Sequence, residues 1–320
     1  MKMITDSDIE DVLDVPDYVA SCDEAFRLYG AGDLVSPARK EEVWREGDWD
    51  YFQLRMPALW VGKYRGTKVI REQSNVTAGH LGERFAKLEI EDLVAGETFT
   101  MDAEHITNMR TGAAGVLGAK YLGQKEIKTI SIIGTGRIAR SIALCADTAL
   151  QPQAIRLTSR SAENRAKLKQ FLDGQVAAKI TNTDSVVSCL EGTDAVFATV
   201  PTPRPILGEN ELPAGVHLSV IAGDPRTSQL QPEVIQRREV VVDHVDQSRR
   251  SGDFLAVADD GKRVRMAKDS EGNVLTIGDA AVGRMKGRRG KGVVAYFTGM
   301  ALQDLHAGVT VLRRLGLVGN

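Results

Sequence analysis

Two kinds of hydrophobic patterning divide this chain. From residue 129 onward, short runs rich in β-branched residues alternate with stretches of helical spacing. The runs at 129–133, 154–158, 176–180, 195–200, 216–222 and 239–243 have the composition of strands buried on both faces, as in a parallel sheet. Between them, Ile138, Ile142 and Cys145 keep an i, i+4, i+7 spacing, and 161–172 and 184–191 read as further helices. Strand and helix in alternation predict an α/β fold, a Rossmann-like doubly wound parallel sheet over 119–300. The first part of the chain is different. A helix over 17–29 precedes strand-like runs at 51–60 and 68–71, which predicts a smaller α+β domain over 1–118, and a last helix over 301–315 is expected to return to it, so that 301–320 completes that domain.

A length of 320 residues fits the expected pair of domains. The net charge of −2 favours neither nucleic acid nor an anionic membrane as a partner. Cys22, Cys145 and Cys189 show no metal-ligand spacing and no even disulfide framework, so they read as structural thiols in a reducing compartment. His80, His105, His217, His244 and His306 lack the spacing of a metal site, and no Ser-His-Asp order or glycine-framed nucleophile supports a hydrolase. The acidic N-terminus has no apolar core of signal-peptide length, and no stretch approaches about 18 apolar residues, so a cytoplasmic location is expected. The basic cluster 284–291 lacks interleaved aromatics and reads as a solvated loop rather than a nucleic-acid patch.

The strand at 129–133 breaks into Gly134-Thr135-Gly136-Arg137-Ile138-Ala139, a Gly-x-Gly-x-x-Ala turn opening a helix. Gly134 suits the tight turn, Gly136 allows backbone to approach a pyrophosphate, and Ala139 allows close helix-to-strand packing. The phosphates would sit on the helix N-terminus. Ligands of such sheets bind beyond the carboxyl ends of the strands, which adds Thr199, Val200, Pro201 and Thr202 and the segment around Ala222, Gly223 and Asp224 to the expected cofactor lining. An NAD-type site usually carries an acidic residue at the end of its second strand. Here that end is Thr158-Ser159-Arg160-Ser161, with no carboxylate, so Ser159, Arg160 and Ser161 favour the 2′-phosphate of NADP(H), with NAD(H) still possible. The plainer alternative is an exposed Arg160 beside an N-capping Ser161.

Cations embedded among apolar neighbours form the second signal. Arg55, Lys68 and Arg110 occupy strand-like contexts, where a charge is costly unless compensated. They read either as ion-paired or snorkelling residues or as a carboxylate clamp, in which Arg offers a fork and Lys a point charge able to polarise a carbonyl or imine.

The ordered set Arg110-Thr-Gly-Ala-Ala with Ala119-Lys-Tyr-Leu122, Ile133-Gly-Thr-Gly136, Thr199-Val-Pro-Thr202, Val242-Asp243 with Asp246-Gln247, and Ser251-Gly-Asp253 resembles the ornithine cyclodeaminase/mu-crystallin family over about 15–315. The resemblance implies a homodimer that binds NAD(H) or NADP(H) and interconverts amino acids, cyclic imines and keto acids. It makes the smaller domain the substrate-binding and dimerisation domain, and places Arg55, Lys68 and Arg110 around the substrate carboxylate and reacting centre, with Thr111 nearby. It also places Thr298 and Gly299 near the nicotinamide, within an altered version of the family's Phe-x-Ser-x-Gly segment. Arg71 has no place in the pattern. The cyclodeaminases carry a general base in an Asp-x-Pro-Gly-Lys-x-Glu-Leu pattern; here the segment is Gly223-Asp-Pro-Arg-Thr-Ser-Gln-Leu230, so Gly223 takes the place of the base, Asp224 is displaced by one as a candidate acid/base, and the Glu is replaced. The expected function is therefore an NAD(P)H-dependent reductase of a small α-imino acid, of ketimine or pyrroline-2-carboxylate type, or the reverse amino-acid dehydrogenase. Two alternatives stay open: a cyclodeaminase that uses NAD catalytically, and a non-catalytic protein that binds nucleotide or a small ligand.

Overall fold

The computed structural model describes residues 3–75, 80–259 and 261–319. The chain divides into two compact units, Met1–Arg110 with Met300–Asn320, and Thr111–Gly299.

The first unit begins with α1 (Asp6–Glu10) and α2 (Val15–Ala31), followed by β1 (Leu34–Val35), β2 (Lys40–Glu46), β3 (Trp49–Trp60), β4 (Tyr64–Asn75), β5 (His80–Asp92) and β6 (Thr98–Asp102). Local chemistry sets the ends of α2: Asp14 and Asp17 form a capping box, and Gly32 closes the helix in the left-handed region. The strands form one antiparallel sheet in the order β1-β3-β4-β5-β6, with β2 pairing β3. Next comes α3 (Glu104–Leu122), one helix that carries Arg110 and Thr111, the residues on either side of the unit boundary. Arg110, expected in a strand-like context, lies within this helix, which also runs across the expected boundary at 118/119. The helical period is hidden in the sequence because Ile106, Met109, Ala113, Val116, Leu117 and Leu122 are all buried and leave no polar stripe to reveal it.

In the second unit, β7 (Thr129–Ile133), α4 (Arg137–Ala149), β8 (Ala154–Thr158), α5 (Ala162–Leu172), β9 (Lys179–Asn182), α6 (Val186–Leu190) and β10 (Ala195–Ala198) alternate as expected. They are followed by β11 (His217–Ile221), α7 (Pro232–Arg237), β12 (Val240–Val242), α8 (Val245–Ser248), α9 (Gly252–Asp259), α10 (Ile277–Ala281) and β13 (Val294–Phe297). Seven parallel strands run in the order β12-β13-β11-β10-β7-β8-β9. The chain moves from β7 outward to β9 and then returns to β10 on the other side of β7, which makes β7/β10 the switch point where such sheets bind ligands. Two expectations shift: the strand expected at 176–180 forms at Lys179–Asn182, and β13, read only as a cofactor-lining segment, enters the sheet between β11 and β12. The basic 284–291 cluster is tied down internally, with Arg284 on Asp279 at 2.6 Å and Arg288 on Glu239 at 2.8 Å.

The last helix, α11 (Ala301–Arg314), belongs to the first unit, where it packs on β3, β4 and β5. No described helix is long and apolar enough to cross a membrane.

Candidate active site

The glycine turn sits at the carboxyl end of β7. Gly134 N–H donates to Thr158 O at 2.9 Å, and Thr199 donates to Ile133 O through both its N–H (2.9 Å) and its hydroxyl (3.1 Å). Gly134 has φ 114°, and a Cβ there would lie 2.5 Å from Thr199 Oγ1, so both the conformation and the close approach of β10 demand glycine. Gly136 differs. It is the N-cap of α4 with no side-chain cap, and a Cβ there would meet no protein atom within 4 Å. The packing of this chain does not require glycine at that point, and the open space beside it would admit a ligand lying on the helix N-terminus. The first turn of α4 contains no acidic residue to compete for its free N–H groups. These features fit a dinucleotide pyrophosphate.

At the end of β8, the Ser159 hydroxyl accepts from Thr135 Oγ1 at 3.0 Å and donates to Ser161 O at 3.2 Å. Ser161 caps α5 by accepting from Asn164 N–H, the plainer of the two roles weighed for it. Arg165, buried beneath, donates to Ser159 O and to Asp184. Arg160 is exposed, and among the described residues neither a hydrogen bond nor an ion pair engages its guanidinium. Ile138 is half-buried on α4, Arg137 is exposed beside Gly136, and Pro201 is exposed beyond Val200. Ala222 N–H donates to Phe297 O at 2.8 Å. The Thr298 hydroxyl donates to Asp243 at 2.9 Å, with Gln247 Oε1 at 3.1 Å from the same oxygen. Asp243, buried, also accepts from the N–H groups of Thr298 and Gly299, and so fixes the chain as it leaves β13.

The loop after β11 carries the two residues at issue for a general base. Gly223 has φ 123°, and a Cβ there would approach Thr298 O to 3.1 Å, so an aspartate would be strained at that position. Asp224 accepts from Arg226 through its Nε (2.9 Å), Nη2 (2.7 Å) and backbone N–H (2.8 Å).

In the first unit the clamp takes a definite form. β4 alternates buried and open positions, and Lys68 occupies a buried one. Its Nζ donates to Asp304 Oδ2 at 2.7 Å and to Thr107 Oγ1 at 3.4 Å. Arg110 Nε donates to Asp304 Oδ1 at 3.2 Å, and its Nη1 to Gln303 Oε1 at 3.2 Å. The side chains of Lys68, Asp304 and Arg110 are 0, 0 and 6 % exposed. Two cations thus share one carboxylate out of contact with bulk water. Burial, reinforced by Arg110 and opposed by Asp304, pulls the Lys68 ammonium down to about 7. Asp304, Gln303 and Thr107 were not assigned a role from the sequence.

Arg55 is not part of this cluster. Residues paired across antiparallel strands share a face, and the row through Lys68 runs Met56, Lys68, Leu88, Met101. Arg55 pairs with Val69, so it projects from the opposite face, where it is exposed. Arg71 lies on that same opposite face, with its guanidinium 5.3 Å from the Trp44 ring centre and 6.0 Å from that of Phe85. The β2–β3 ladder ends at the pair Lys40 with Arg55; Arg39 immediately precedes it, and continuing the alternation of the strand by one residue would turn its side chain to the face of Lys68. Its side chain is only 12 % exposed and meets Glu41 at 3.0 Å.

A model of the ornithine cyclodeaminase/mu-crystallin family matches residues 1–315. An alanine dehydrogenase from Archaeoglobus fulgidus is 26 % identical over 318 residues, covering 95 % of this chain and 91 % of the relative. Among solved structures, a Δ1-pyrroline-2-carboxylate reductase from Thermococcus litoralis, in complex with NADH and L-proline, superposes with a TM-score of 0.86 at 20 % identity, each chain covered completely. An archaeal alanine dehydrogenase dimer with bound NAD superposes with a TM-score of 0.84 at 22 % identity, with 99 % of this chain and 97 % of that one covered. With its α/β nucleotide unit, its antiparallel unit and a match along almost its full length, this chain belongs to the ornithine cyclodeaminase/mu-crystallin family.

Proposed function

We propose that this protein is an NAD(P)H-dependent reductase of small α-imino acids, or the same enzyme working in reverse as an amino-acid dehydrogenase. The observation that carries this reading is the buried Lys68–Asp304–Arg110 cluster, whose formal charge is left positive by one. A substrate carboxylate entering it supplies the missing anion, and Arg110 offers it a directional fork. Arg39, turned to the Lys68 face by that continued alternation, is a further contact for that carboxylate, in the role first given to Arg55.

When bound, the nicotinamide supplies hydride to the C=N carbon. The nitrogen of a neutral imine must gain one proton, and Lys68 Nζ, brought down to about 7, holds a proton it can release near neutral pH. Lys68 rather than Asp224 is the proton carrier, because Asp224 is engaged by Arg226. A glycine at the base position, with Asp224 so engaged, disfavours the cyclodeaminase reading. The remaining work is positioning and charge compensation.

The nucleotide lies with its pyrophosphate on Gly134, Thr135, Gly136 and the start of α4, flanked by Arg137, Ile138, Thr199, Val200, Pro201, Ala222, Thr111 and Thr298. Arg160, exposed and uncommitted, meets the 2′-phosphate of NADP(H) beside Ser159 and Ser161, so NADPH is the preferred cofactor. The protein works as a homodimer, a state to be read by sedimentation. The test of the function is a panel of cyclic imines, and of keto acids mixed with amines, with NADPH absorbance followed in wild type and in Lys68→Met. Wild type consumes NADPH with at least one imino acid, and the variant does not.

A further inference from the structure

Beyond the switch point, the ends of β10 and β11 diverge. Their last ladder pair is Ala198 with Val220. Past it, the two chains carry Thr199-Val200 and Ile221-Ala222, the segments that line the cofactor in the function proposed above. What joins them is a side chain. Gln229 is 2 % exposed, its Nε2 donates to Ile221 O at 2.7 Å, and its Oε1 accepts from Val200 N–H at 2.7 Å. The carboxamide acts as an added peptide group, pairing one half-buried acceptor and one half-buried donor beyond the end of the ladder.

The backbone of Gln229 is itself firmly held. Its carbonyl accepts from Ile206 N–H (2.9 Å) and Leu207 N–H (3.1 Å). The residues on either side are fixed by one buried carboxylate: Asp253 accepts from the Ser228 hydroxyl at 3.0 Å and from Leu230 N–H at 2.8 Å, and Tyr296 of β13 donates to its other oxygen at 2.8 Å. Gln229 is therefore a rigid spacer between two strand ends rather than a loop residue that happens to touch them.

Donor and acceptor are both required. A carboxamide provides them without charge, whereas a carboxylate only accepts and would face Ile221 O with a second acceptor. The resembling cyclodeaminase pattern has Glu at this place, and this chain has replaced it. We infer that Gln229 is a positioning residue that sets the gap between Val200 and Ile221 for the nicotinamide half of the cofactor and keeps that gap independent of pH. The inference rests on the cofactor reading above.

The test compares NADPH dissociation constants of wild type, Gln229→Glu and Gln229→Leu as a function of pH, with thermal melting of each. While its new carboxyl group is protonated, the Gln229→Glu variant keeps both bonds, the acid hydroxyl donating to Ile221 O and the acid carbonyl accepting from Val200 N–H, so it binds NADPH nearly as wild type at low pH. As the pH rises and the buried carboxyl ionises, its affinity falls about tenfold or more relative to wild type at the same pH. Gln229→Leu binds about tenfold more weakly at every pH. Variants that melt lower but bind NADPH as wild type does at every pH would reduce Gln229 to a structural role and overturn the inference. Wild type that binds neither NADPH nor NADH overturns the cofactor reading and this inference with it, whereas wild type that binds while the variants are unchanged overturns this inference alone.

Discussion

Lys68 and Asp304 meet at 2.7 Å with neither side chain exposed, and Arg110 takes the other oxygen of the same carboxylate. One anion holds two buried cations. Removing it with Asp304→Asn leaves both without charge compensation and costs about 3–5 kcal/mol of stability, measured by denaturant unfolding. The double variant Lys68→Met/Asp304→Leu recovers part of that loss, because no lysine charge then remains to be compensated, but it stays inactive. Equal destabilisation of single and double variants would contradict the coupling.

The Lys68 ammonium lies well below its usual value of 10.5, at about 7. With Lys68 as the proposed proton donor in imine reduction, kcat/KM for a neutral imine is expected to be level below about pH 7 and to fall up to tenfold per unit above it. Amino-acid oxidation needs the deprotonated lysine and rises over the same window. A bound carboxylate adds an anion beside Lys68, so the break in kcat comes at higher pH than the break in kcat/KM. Coincident, flat profiles between pH 6 and 9, roughly the window around that value, would remove Lys68 from proton transfer.

Arg39 and Arg55 are separated by strand parity, and substitution distinguishes them. Arg39→Ala raises the KM for the imino acid about tenfold or more, and Arg55→Ala changes it less than about twofold. The reverse order would place the carboxylate on the other face of the sheet.

Arg160→Ala is expected to lower NADPH affinity about tenfold and leave NADH affinity nearly unchanged, since only the former carries the phosphate proposed to meet the guanidinium. Direct titration of both cofactors checks this. An equal loss for both would assign Arg160 a general role in the fold or in the pyrophosphate field.

His217, fully buried in β11, is pushed down to about 3 by burial. Its folded value is below the unfolded one of about 6.5, so the unfolded chain takes up a proton that the folded chain refuses. Stability therefore falls as pH drops through 6.5 towards 3, and His217→Gln, which cannot charge, shows a shallower fall in melting temperature across that window.

The legible parts of the sequence were local ones. The Gly134–Ala139 turn combines strand, turn and helix start within a dozen positions or so, and each residue type has its own physical reason. Lys68 was visible as a cation among apolar neighbours. Its partner was not: Asp304 lies 236 residues away, and only the return of α11 to the first unit brings it near. Arg55 groups with Lys68 and Arg110 in the sequence because a period of two shows that faces alternate but not which face meets α11. The choice between Arg39 and Arg55 depends on the β2–β3 register, which pairing fixes and composition does not. α3 escaped because a helix buried on all sides has no polar stripe, and Gln229 because a side chain bridging two strand ends looks like any loop glutamine until the sheet is formed.

Net reduction that consumes cofactor is read most directly from the balance of cofactor and product. Purified protein is mixed with a small excess of NADPH and a limiting amount of the best imino acid, and NADPH oxidised and amino acid formed are both counted. One NADPH is expected to be consumed for each imine lost, with an amino acid as product, and no ammonia released from ornithine. Ammonia and a cyclic product from ornithine with no net change in cofactor would contradict net reduction.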